Sequence, residues 1–327
     1  MPQPDVRSQV VAGPLQNVSV AFKNESYIAN AVFPIIDKVG PKAQITTYPP
    51  GAWFRDEAGV RAAGTRAKRG GYTTTPVAIS LVENAFAKEV TDEDRRNAEV
   101  SGAPPIQPEI EAVEFCSDKI DMRRERLVRD LIVATTWVDG ASGGTDADGL
   151  FAAGSGNVFL KSIKNAKKAI KGKCGVSPNK LVIDYGTYLS LTEEATLLDK
   201  IKYTQRGVMT RELMAQVLDL KEVLVGDAVI STAKENKGAT DFTASLIWEI
   251  NAGKGMVFLF YAPDRPGLKV PAAGYQCRGS YENGISRQIT MWRENAEHQD
   301  VFEAAEEIDV KAVGASCGYL WKDTLLT

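Results

Sequence analysis

Carboxylates, one imidazole and a group of lysines are the side chains in this sequence whose spacing could support chemistry. Four acids lie close together near the C-terminus, and paired carboxylates can transfer protons as general acid and general base. On a polar surface segment, such acids are more often a solvated face that binds basic partners. Both interpretations are open for this cluster, which consists of Glu303, Glu306, Glu307 and Asp309.

The single histidine, His298, lies among acids in the segment ENAEHQD, where an imidazole could act as a base or a metal ligand. A metal site needs several converging ligands, and the chain has no second histidine to join it. A possible calcium loop begins at Asp146, but Phe151 and Asn157 stand where that loop requires Gly and Glu. We therefore expect no catalytic residue, no metal site and no cofactor.

The glycine-rich stretch GASGGTDADGLFAAGSGN, residues 140–157, contains no G-K-[ST] and is not a P-loop. No strand pattern precedes it, as a dinucleotide fingerprint or a nucleophile elbow would require. We interpret it as a linker.

Six lysines within residues 161–173 follow this linker at helical spacing. They could bind phosphates weakly and without sequence preference, or they could form a solvated face. The net charge of -3 provides no overall positive field to attract nucleic acid. The candidates for weak contact with DNA are Lys161, Lys164, Lys167 and Lys168.

The composition is that of an ordinary folded protein, with 44% hydrophobic and 25% charged residues among 327. This length suits one large domain or two ordinary ones. We expect no secretion signal and no membrane contact, because the longest apolar runs fall far short of the roughly 20 residues of a membrane helix. Four widely spaced cysteines without a CxxC pair favour a reducing compartment and free thiols, and disulfides between them stay open as the alternative. They are Cys116, Cys174, Cys277 and Cys317.

Several elements must position these residues, and the first is an arm. Residues 1 to about 50 are rich in proline and include the apolar run YIANAVFPIIDKVG, which Pro34 interrupts. Residues 51–71 contain five glycines and more basic than acidic side chains, which predicts a projecting basic loop. The next segment alternates, so that Val77, Ile79 and Leu81 share one strand face, and Pro76 indicates an edge strand or a bulge.

A long helix over 109–138 is the clearest predicted element. Pro108 suits its first turn, and apolar residues recur along it at helical period. The predicted apolar stripe is Ile110, Val113, Ile120, Leu127, Leu131, Ala134 and Val138. The preceding segment FAKEVTDEDRRNAEV has a helical appearance, and TRELMAQVLDL predicts a short helix with Thr210 as its N-cap. Strand patterns such as EVLVGDAVI and GMVFLFYAP alternate irregularly with the helices, which favours an α+β fold.

These segments, in this order, resemble the major capsid proteins of tailed double-stranded DNA bacteriophages with the HK97-type fold. The similar segments are YIANAVFPIIDKVG, AWFRDEAGVRAAG, FAKEVTDEDRRNAEV, QPEIEAVEFCSDKIDMRRERLVRDLI, IKYTQRGVMTRELMAQVLDLKEVLVGDAV and DVKAVGASCGYLWKD. The resemblance implies an N-terminal arm (1–50), an extended loop (51–82) and a peripheral domain with its spine helix (83–177). It also implies an axial domain (178–284) and a return to the peripheral domain (285–327).

The resemblance further implies subunits that form hexamers and pentamers of an icosahedral phage head around DNA. Burial of the apolar arm against a neighbouring copy would stabilise the shell, and the basic loop would meet acidic surface there. The implied arm contacts are Ile28, Val32, Phe33, Ile35 and Ile36, and the implied loop contacts are Arg55, Arg61, Arg66, Lys68 and Arg69. Some relatives join a loop lysine covalently to an asparagine; Lys68 is the candidate here, but a non-covalent shell is favoured.

The resemblance also implies partners and a location. The partners are other copies of the chain, a portal protein, a scaffold protein, a cement or decoration protein, and packaged DNA that is bound weakly. Assembly would take place in the cytoplasm of the host bacterium, and the product would be part of the virion. Two other functions remain open at this point, the shell of a cellular nanocompartment with the same fold and an α/β enzyme that uses the acids near Glu303.

Overall fold

The computed structural model describes residues 23–99, 107–152, 158–201, 209–233, 243–250, 253–281 and 284–325. The first 22 residues of the predicted arm and residues 153–157 of the glycine-rich linker lie outside the described residues. The helices are α1 (Ala29–Val32), α2 (Pro50–Trp53), α3 (Asp92–Glu99), α4 (Pro108–Ala134), α5 (Val158–Cys174), α6 (Tyr185–Thr192), α7 (Ala195–Ile201) and α8 (Arg211–Leu218).

The strands form two larger sheets and two short two-stranded ones. The first seven are β1 (Ile35–Ile36), β2 (Lys42–Thr47), β3 (Thr75–Ser80), β4 (Val82–Thr91), β5 (Thr145–Asp146), β6 (Lys180–Asp184) and β7 (Glu222–Gly226). The others are β8 (Val229–Ser231), β9 (Ala244–Leu246), β10 (Met256–Phe260), β11 (Gly274–Arg278), β12 (Arg287–Glu294), β13 (Gln299–Ala312) and β14 (Gly318–Lys322). Helices and sheets are mixed as predicted, and the α+β class is confirmed.

The first sheet, called here the spine sheet, is built around the long strand β13. Strand β4 pairs with one edge of β13, while β12 and β11 pair with the other, and β1 adds to β11. Helix α4 packs across β4 and β13. The segment predicted as helical, FAKEVTDEDRRNAEV, is strand in its first half and helix α3 only from Asp92, because pairing with β13 outweighs local preference.

Helix α4 confirms the predicted spine but buries different residues. Six of its seven buried positions are four residues apart, and the seventh is Glu125. Two of the seven, Arg124 and Glu125, are charged and so do not belong to an apolar stripe. Ile110, which belongs to the predicted stripe, is 55% exposed. The stripe is therefore wrong in part, because contacts with β13 and the arm select the buried face. The buried residues are Ala112, Cys116, Ile120, Arg124, Glu125, Val128 and Ile132.

The second sheet, called here the core sheet, has the order β5-β14-β10-β6-β7. Strand β10 is buried along its whole length, because one apolar core covers each face. Val257 and Leu259 face the core formed with α5, α7 and α8, whereas Phe258 and Phe260 face the core formed with α1 and the end of α4. This explains why the MVFLF run is continuously apolar.

The division of the chain between these sheets differs from the predicted one in several places. Strand β11 belongs to the predicted axial domain but pairs with β13 in the spine sheet. Helix α5 belongs to the predicted peripheral domain but packs on the core sheet, which holds most of the predicted axial domain. Residues 287–312 do return to the spine sheet, but β14 then completes the core sheet by pairing with β10. A short 3₁₀ turn, Ala315–Cys317, makes this crossing.

The cysteines also differ from expectation. Cys174 and Cys317 form a disulfide, with their Cα atoms 5.7 Å apart, and Cys116 and Cys277 are free and buried. The structure thus has one disulfide and two free thiols where the sequence predicts four free thiols, since residues 143 positions apart in sequence meet only through the fold.

Candidate assembly surfaces

The predicted projecting loop leaves the body between two paired strands. Strands β2 and β3 form an antiparallel pair, and residues 51–71 extend beyond it. The alternation in β3 is as predicted, since Ile79 is buried and Val77 half-buried while their neighbours are exposed. Pro76 lies in this strand of a two-stranded sheet, in agreement with the predicted edge position.

An aromatic cluster holds the base of the loop. The rings of Tyr48, Trp53 and Tyr72 lie with centroids 5.5 to 6.1 Å apart. The ammonium of Lys269 sits 5.5 Å from the centroid of the Trp53 ring and 5.7 Å from that of Tyr48. These cation–π contacts attach the loop base to the body.

The basic side chains predicted on the loop are all exposed. Arg55 pairs with Glu57 at 3.1 Å, in an ion pair that is itself solvent-exposed. The other four form no ion pair with any residue that the structure describes. The loop therefore presents unpaired positive charge on a firmly held base. These four residues are Arg61, Arg66, Lys68 and Arg69.

The four predicted acids separate onto the two faces of the spine sheet, because strand residues alternate. Glu306 points toward α4, where it binds Arg124 and lies 3.3 Å from the guanidinium of Arg287. Arg278 approaches the same carboxylate at 3.6 Å. A carboxylate surrounded by three arginines links strands to the spine helix and is not positioned as one half of an acid–base pair.

The opposite side of the spine sheet carries what we call the acidic face. Glu303 and Glu307 point to this side, and Glu307 lies directly across from Glu83 on β4. Small alanines separate the acids, so that the carboxylates stand above a shallow surface. The acidic face consists of Glu83, Ala85, Ala87, Glu89, Glu303, Ala305 and Glu307. Asp309 follows at the end of this face, where it accepts a hydrogen bond from the Ser80 amide at 2.8 Å.

The first apolar turn of the arm, residues 28–33, is packed against the core of the same subunit. Val32 and Phe33 are 0% exposed and Ile28 is 8% exposed. The rings of Phe33 and Phe260 meet in a T-shaped arrangement, with centroids 5.8 Å apart. The prediction that these three side chains bind a neighbouring copy is wrong, because the core of the same chain already buries them. Ile35 and Ile36 are only half-buried, in β1, and their contact with a neighbour stays a prediction.

Glu125 is the residue that anchors this arm, and the sequence search missed it. Its fully buried carboxylate accepts hydrogen bonds from the amides of Ile28 (3.1 Å) and Ala29 (2.7 Å) and from the Trp248 indole (2.5 Å). Burial raises the pKa of Glu125, and these hydrogen bonds oppose the rise. The sequence signal for this role was the neighbouring pair of opposite charges, Arg124 and Glu125, in the middle of the predicted spine helix.

The lysines of α5 divide into two groups. Lys161, Lys164 and Lys168 are exposed, so their weak contact with DNA stays a prediction. Lys167 instead donates hydrogen bonds to the carbonyls of Leu218 (2.6 Å) and Asp219 (2.7 Å), at the C-terminal end of α8. Burial lowers its pKa. The prediction for Lys167 is therefore wrong, because this lysine caps a helix.

His298 lies exposed in the turn between β12 and β13, with a left-handed φ of 52°. Within the described ranges, His, Cys, Asp and Glu side chains form no group of three that could hold a metal ion. The helices of the same ranges include none with the length and apolar character needed to cross a membrane.

No protein-family profile matches the chain. The chain is 26% identical over 322 residues to the major capsid protein of Burkholderia phage BcepMu, covering 95% of this chain and 96% of that one. A crystal structure of a phage-related protein from Bordetella bronchiseptica superposes with a TM-score of 0.67 at 18% identity, over 94% and 95% of the two chains. The capsid structure of cyanophage P-SCSP1u gives 0.63 at 10% identity, over 98% and 95%. The fold expected from the sequence resemblance is confirmed.

Proposed function

We infer that the chain is a major capsid protein of a bacteriophage, with the HK97-type fold, whose copies form the icosahedral shell of the phage head. The observation that carries this inference is the similarity to the Burkholderia phage capsid protein along nearly the whole of both chains. The shared fold with a solved phage capsid supports it independently of sequence. The role of the chain is structural, and its place is the virion.

We propose that the basic loop of one copy lies on the acidic face of the next. The loop carries Arg61, Arg66 and Arg69 without partners among the described residues, while Glu303 and Glu307 stand on a shallow surface lined by alanines. Opposite charge favours this contact over contact between two loops or two acidic faces. Each exposed pair contributes only about 0 to 1 kcal/mol, so the charges set register and association rate more than strength.

Apolar contact must then supply more of the binding free energy, at about 25 cal/mol per Å² buried. Ile35 and Ile36 are the arm residues that remain available for it. The exposed Trp53 and Phe54 at the loop base add apolar area close to the proposed contact. We propose a non-covalent shell, in which Lys68 contributes charge and not an isopeptide bond.

Further partners and the positions of the domains are part of the same proposal. The spine sheet would lie in the peripheral part of each hexamer and pentamer, and the core sheet would surround their centres. Lys161, Lys164 and Lys168 would meet packaged DNA weakly. A portal protein, a scaffold protein and a cement protein would join the shell, and assembly would take place in the cytoplasm of the host.

The size of the purified product tests the inference. We expect expression of the chain, alone or with a scaffold protein, to yield particles that sediment as closed shells of many copies. Only small discrete oligomers under every condition would refute the proposed function.

A further inference from the structure

The disulfide between Cys174 and Cys317 joins the end of helix α5 to the turn that precedes β14. Cys174 is the last residue of α5, which packs on the core sheet. Cys317 ends the 3₁₀ turn through which the chain crosses from β13 in the spine sheet to β14 in the core sheet. The Cα separation of 5.7 Å lies within the usual range for a disulfide. The bond therefore links helix α5, which packs on the core sheet, to the junction between the two sheets, the turn Ala315–Cys317.

The base of the projecting loop rests on this junction. Gly175 follows Cys174 with a left-handed φ of 78°, and the Phe54 ring lies directly against it. A Cβ at position 175 would lie 2.7 Å from Cζ of Phe54, so only glycine leaves room for the ring. Phe54 itself comes immediately after α2 at the loop base. A bond that fixes Cys174 consequently fixes the surface that supports Phe54.

Both cysteines also border a cleft of about 520 Å³ beneath the loop base. The cleft is lined by Tyr48, Trp53 and Phe54 on the loop side and by Cys174 and Cys317 on the body side. Cys174 is only half-buried, so a small thiol or disulfide can reach it from the cleft. Cys317 is buried, at 2% exposed.

The two remaining cysteines are poor competitors for oxidation. Cys116 and Cys277 are both fully buried. Burial raises the pKa of Cys277 to about 11 and also raises that of Cys116. Since the thiolate is the reactive form, neither is expected to oxidise readily.

We propose that Cys174 and Cys317 form a redox-controlled brace, open as two thiols while the subunit is in reducing cytoplasm and closed as a disulfide in the released particle. The timing rests on the proposed function, because only a virion component leaves the cell. The closed brace holds the loop base in place. A low-molecular-weight disulfide such as oxidised glutathione is the oxidant.

The chemistry is thiol–disulfide exchange in two steps. The Cys174 thiolate attacks oxidised glutathione, forms a mixed disulfide and releases one reduced glutathione. The Cys317 thiolate then attacks the Cys174 sulfur and releases the second. Two protein thiols lose two electrons and two protons, and one glutathione disulfide becomes two thiols.

Counting thiols in purified particles is the first test. Alkylation under denaturing conditions, without a reductant, should modify Cys116 and Cys277 but neither Cys174 nor Cys317, and prior reduction should expose all four. Protein alkylated rapidly within intact cells should show all four thiols. Finding Cys174 and Cys317 alkylated in particles kept with oxidised glutathione would overturn the proposal, and so would finding the bond already closed in the cytoplasm.

The second test measures what the brace does. Dithiothreitol should lower the melting temperature of wild-type protein by about 5 °C or more, and amide hydrogen exchange over residues 48–54 should become faster while that of β4 stays unchanged. Cys174→Ser should show neither response, whereas Cys116→Ala should respond like the wild type. Cys317→Ser, which also removes the bond, should behave like Cys174→Ser. If the buried position of Cys317 prevents that variant from folding, Cys174→Ser provides the test alone, because the Cys174 side chain is only half-buried. Equal melting and exchange in both redox states would contradict the brace.

These results separate the two proposals. Closed shells with four free thiols would refute the brace and leave the capsid function intact. A disulfide in protein that forms only small oligomers would refute the capsid function and with it the proposed timing of closure, and would support only the bond itself.

Discussion

Glu125 holds the arm through its buried carboxylate, which accepts hydrogen bonds from two arm amides and one indole. We predict that Glu125→Ala lowers the free energy of unfolding of the unassembled subunit by about 3 kcal/mol, since three buried donors lose their acceptor. Chemical denaturation measures this change. Glu111→Ala, an exposed substitution on the same helix, is the matched control and should change stability by less than about 0.5 kcal/mol. Equal effects of the two substitutions would contradict this role of Glu125.

The pH dependence of stability should report the same carboxyl group. Burial raises the pKa of Glu125 above its ordinary value of 4.5, so the folded state holds the proton more tightly than the unfolded state. The stability that this proton contributes is present below pH 4.5 and is lost as the pH rises through the folded-state pKa. Glu125→Gln, which cannot titrate, should therefore gain stability relative to the wild type over that rise. A difference between the two proteins that does not vary with pH would show that Glu125 has an ordinary pKa in the folded state.

The roles of individual charged residues were harder to predict from the sequence than the helices, the strands or the fold. Glu125, Arg124 and Glu306 are charged, and charged residues are assigned to the surface unless their partners are known. Their partners lie on the arm, on β12 and on β13, far away along the chain. Lys167 was assigned to DNA for the same reason, because the α8 carbonyls that it caps come about fifty residues later.

Among the elements, the arm shows how an apolar segment can have two different partners. Phe33 is fully buried in its own subunit, whereas Ile36 is half-buried at the end of β1. We predict that Phe33→Ala lowers the free energy of unfolding of the subunit by about 3 to 5 kcal/mol. Ile36→Ala should cost the isolated subunit about 1 kcal/mol or less and should instead weaken assembly.

Denaturation of unassembled protein and light scattering during assembly distinguish these two effects. A subunit that keeps its stability with Phe33→Ala would mean that the described arm is not part of the core in solution.

The proposed contact between neighbouring subunits depends on the positive charge of the loop. Replacing Arg61, Arg66 and Arg69 by Glu should slow assembly at least tenfold at low salt, because like charges then face the acidic face. Adding Glu303→Lys and Glu307→Lys to that variant should restore much of the rate. Light scattering at several salt concentrations measures both changes.

Arg265→Glu, an exposed reversal outside the loop, serves as the control and should assemble normally. Failure of the paired reversal to restore assembly would remove the acidic face as the partner of the loop.

Element prediction succeeded where one local signal sufficed. Thr210 caps α8 by accepting a hydrogen bond from the Leu213 amide, and the alternation of β3 matches its burial. It failed for β4. The polar sequence of this segment predicts a helix, but pairing with β13, which lies far along the chain, makes it a strand. The acids from Glu303 to Asp309 were identified as a group, but their separation onto two faces needed the strand assignment.

At the scale of the whole molecule, the order of the segments carried more information than any motif. An arm, a basic loop, a spine helix and a mixed domain follow one another along the chain, and this order led to the correct fold. The crossing from β13 to β14 and the disulfide beside it were not predicted, because residues 143 positions apart approach only when both sheets have formed. That junction joins the two halves of the subunit.

A cryo-electron microscopy map of the assembled protein is the most direct test of the account. We predict a closed icosahedral shell in which residues 55–69 of each copy lie against Glu303 and Glu307 of a neighbour, while Phe33 stays in the core of its own subunit. A shell in which the loop contacts no neighbour, or a protein that forms no shell under any condition, would contradict it.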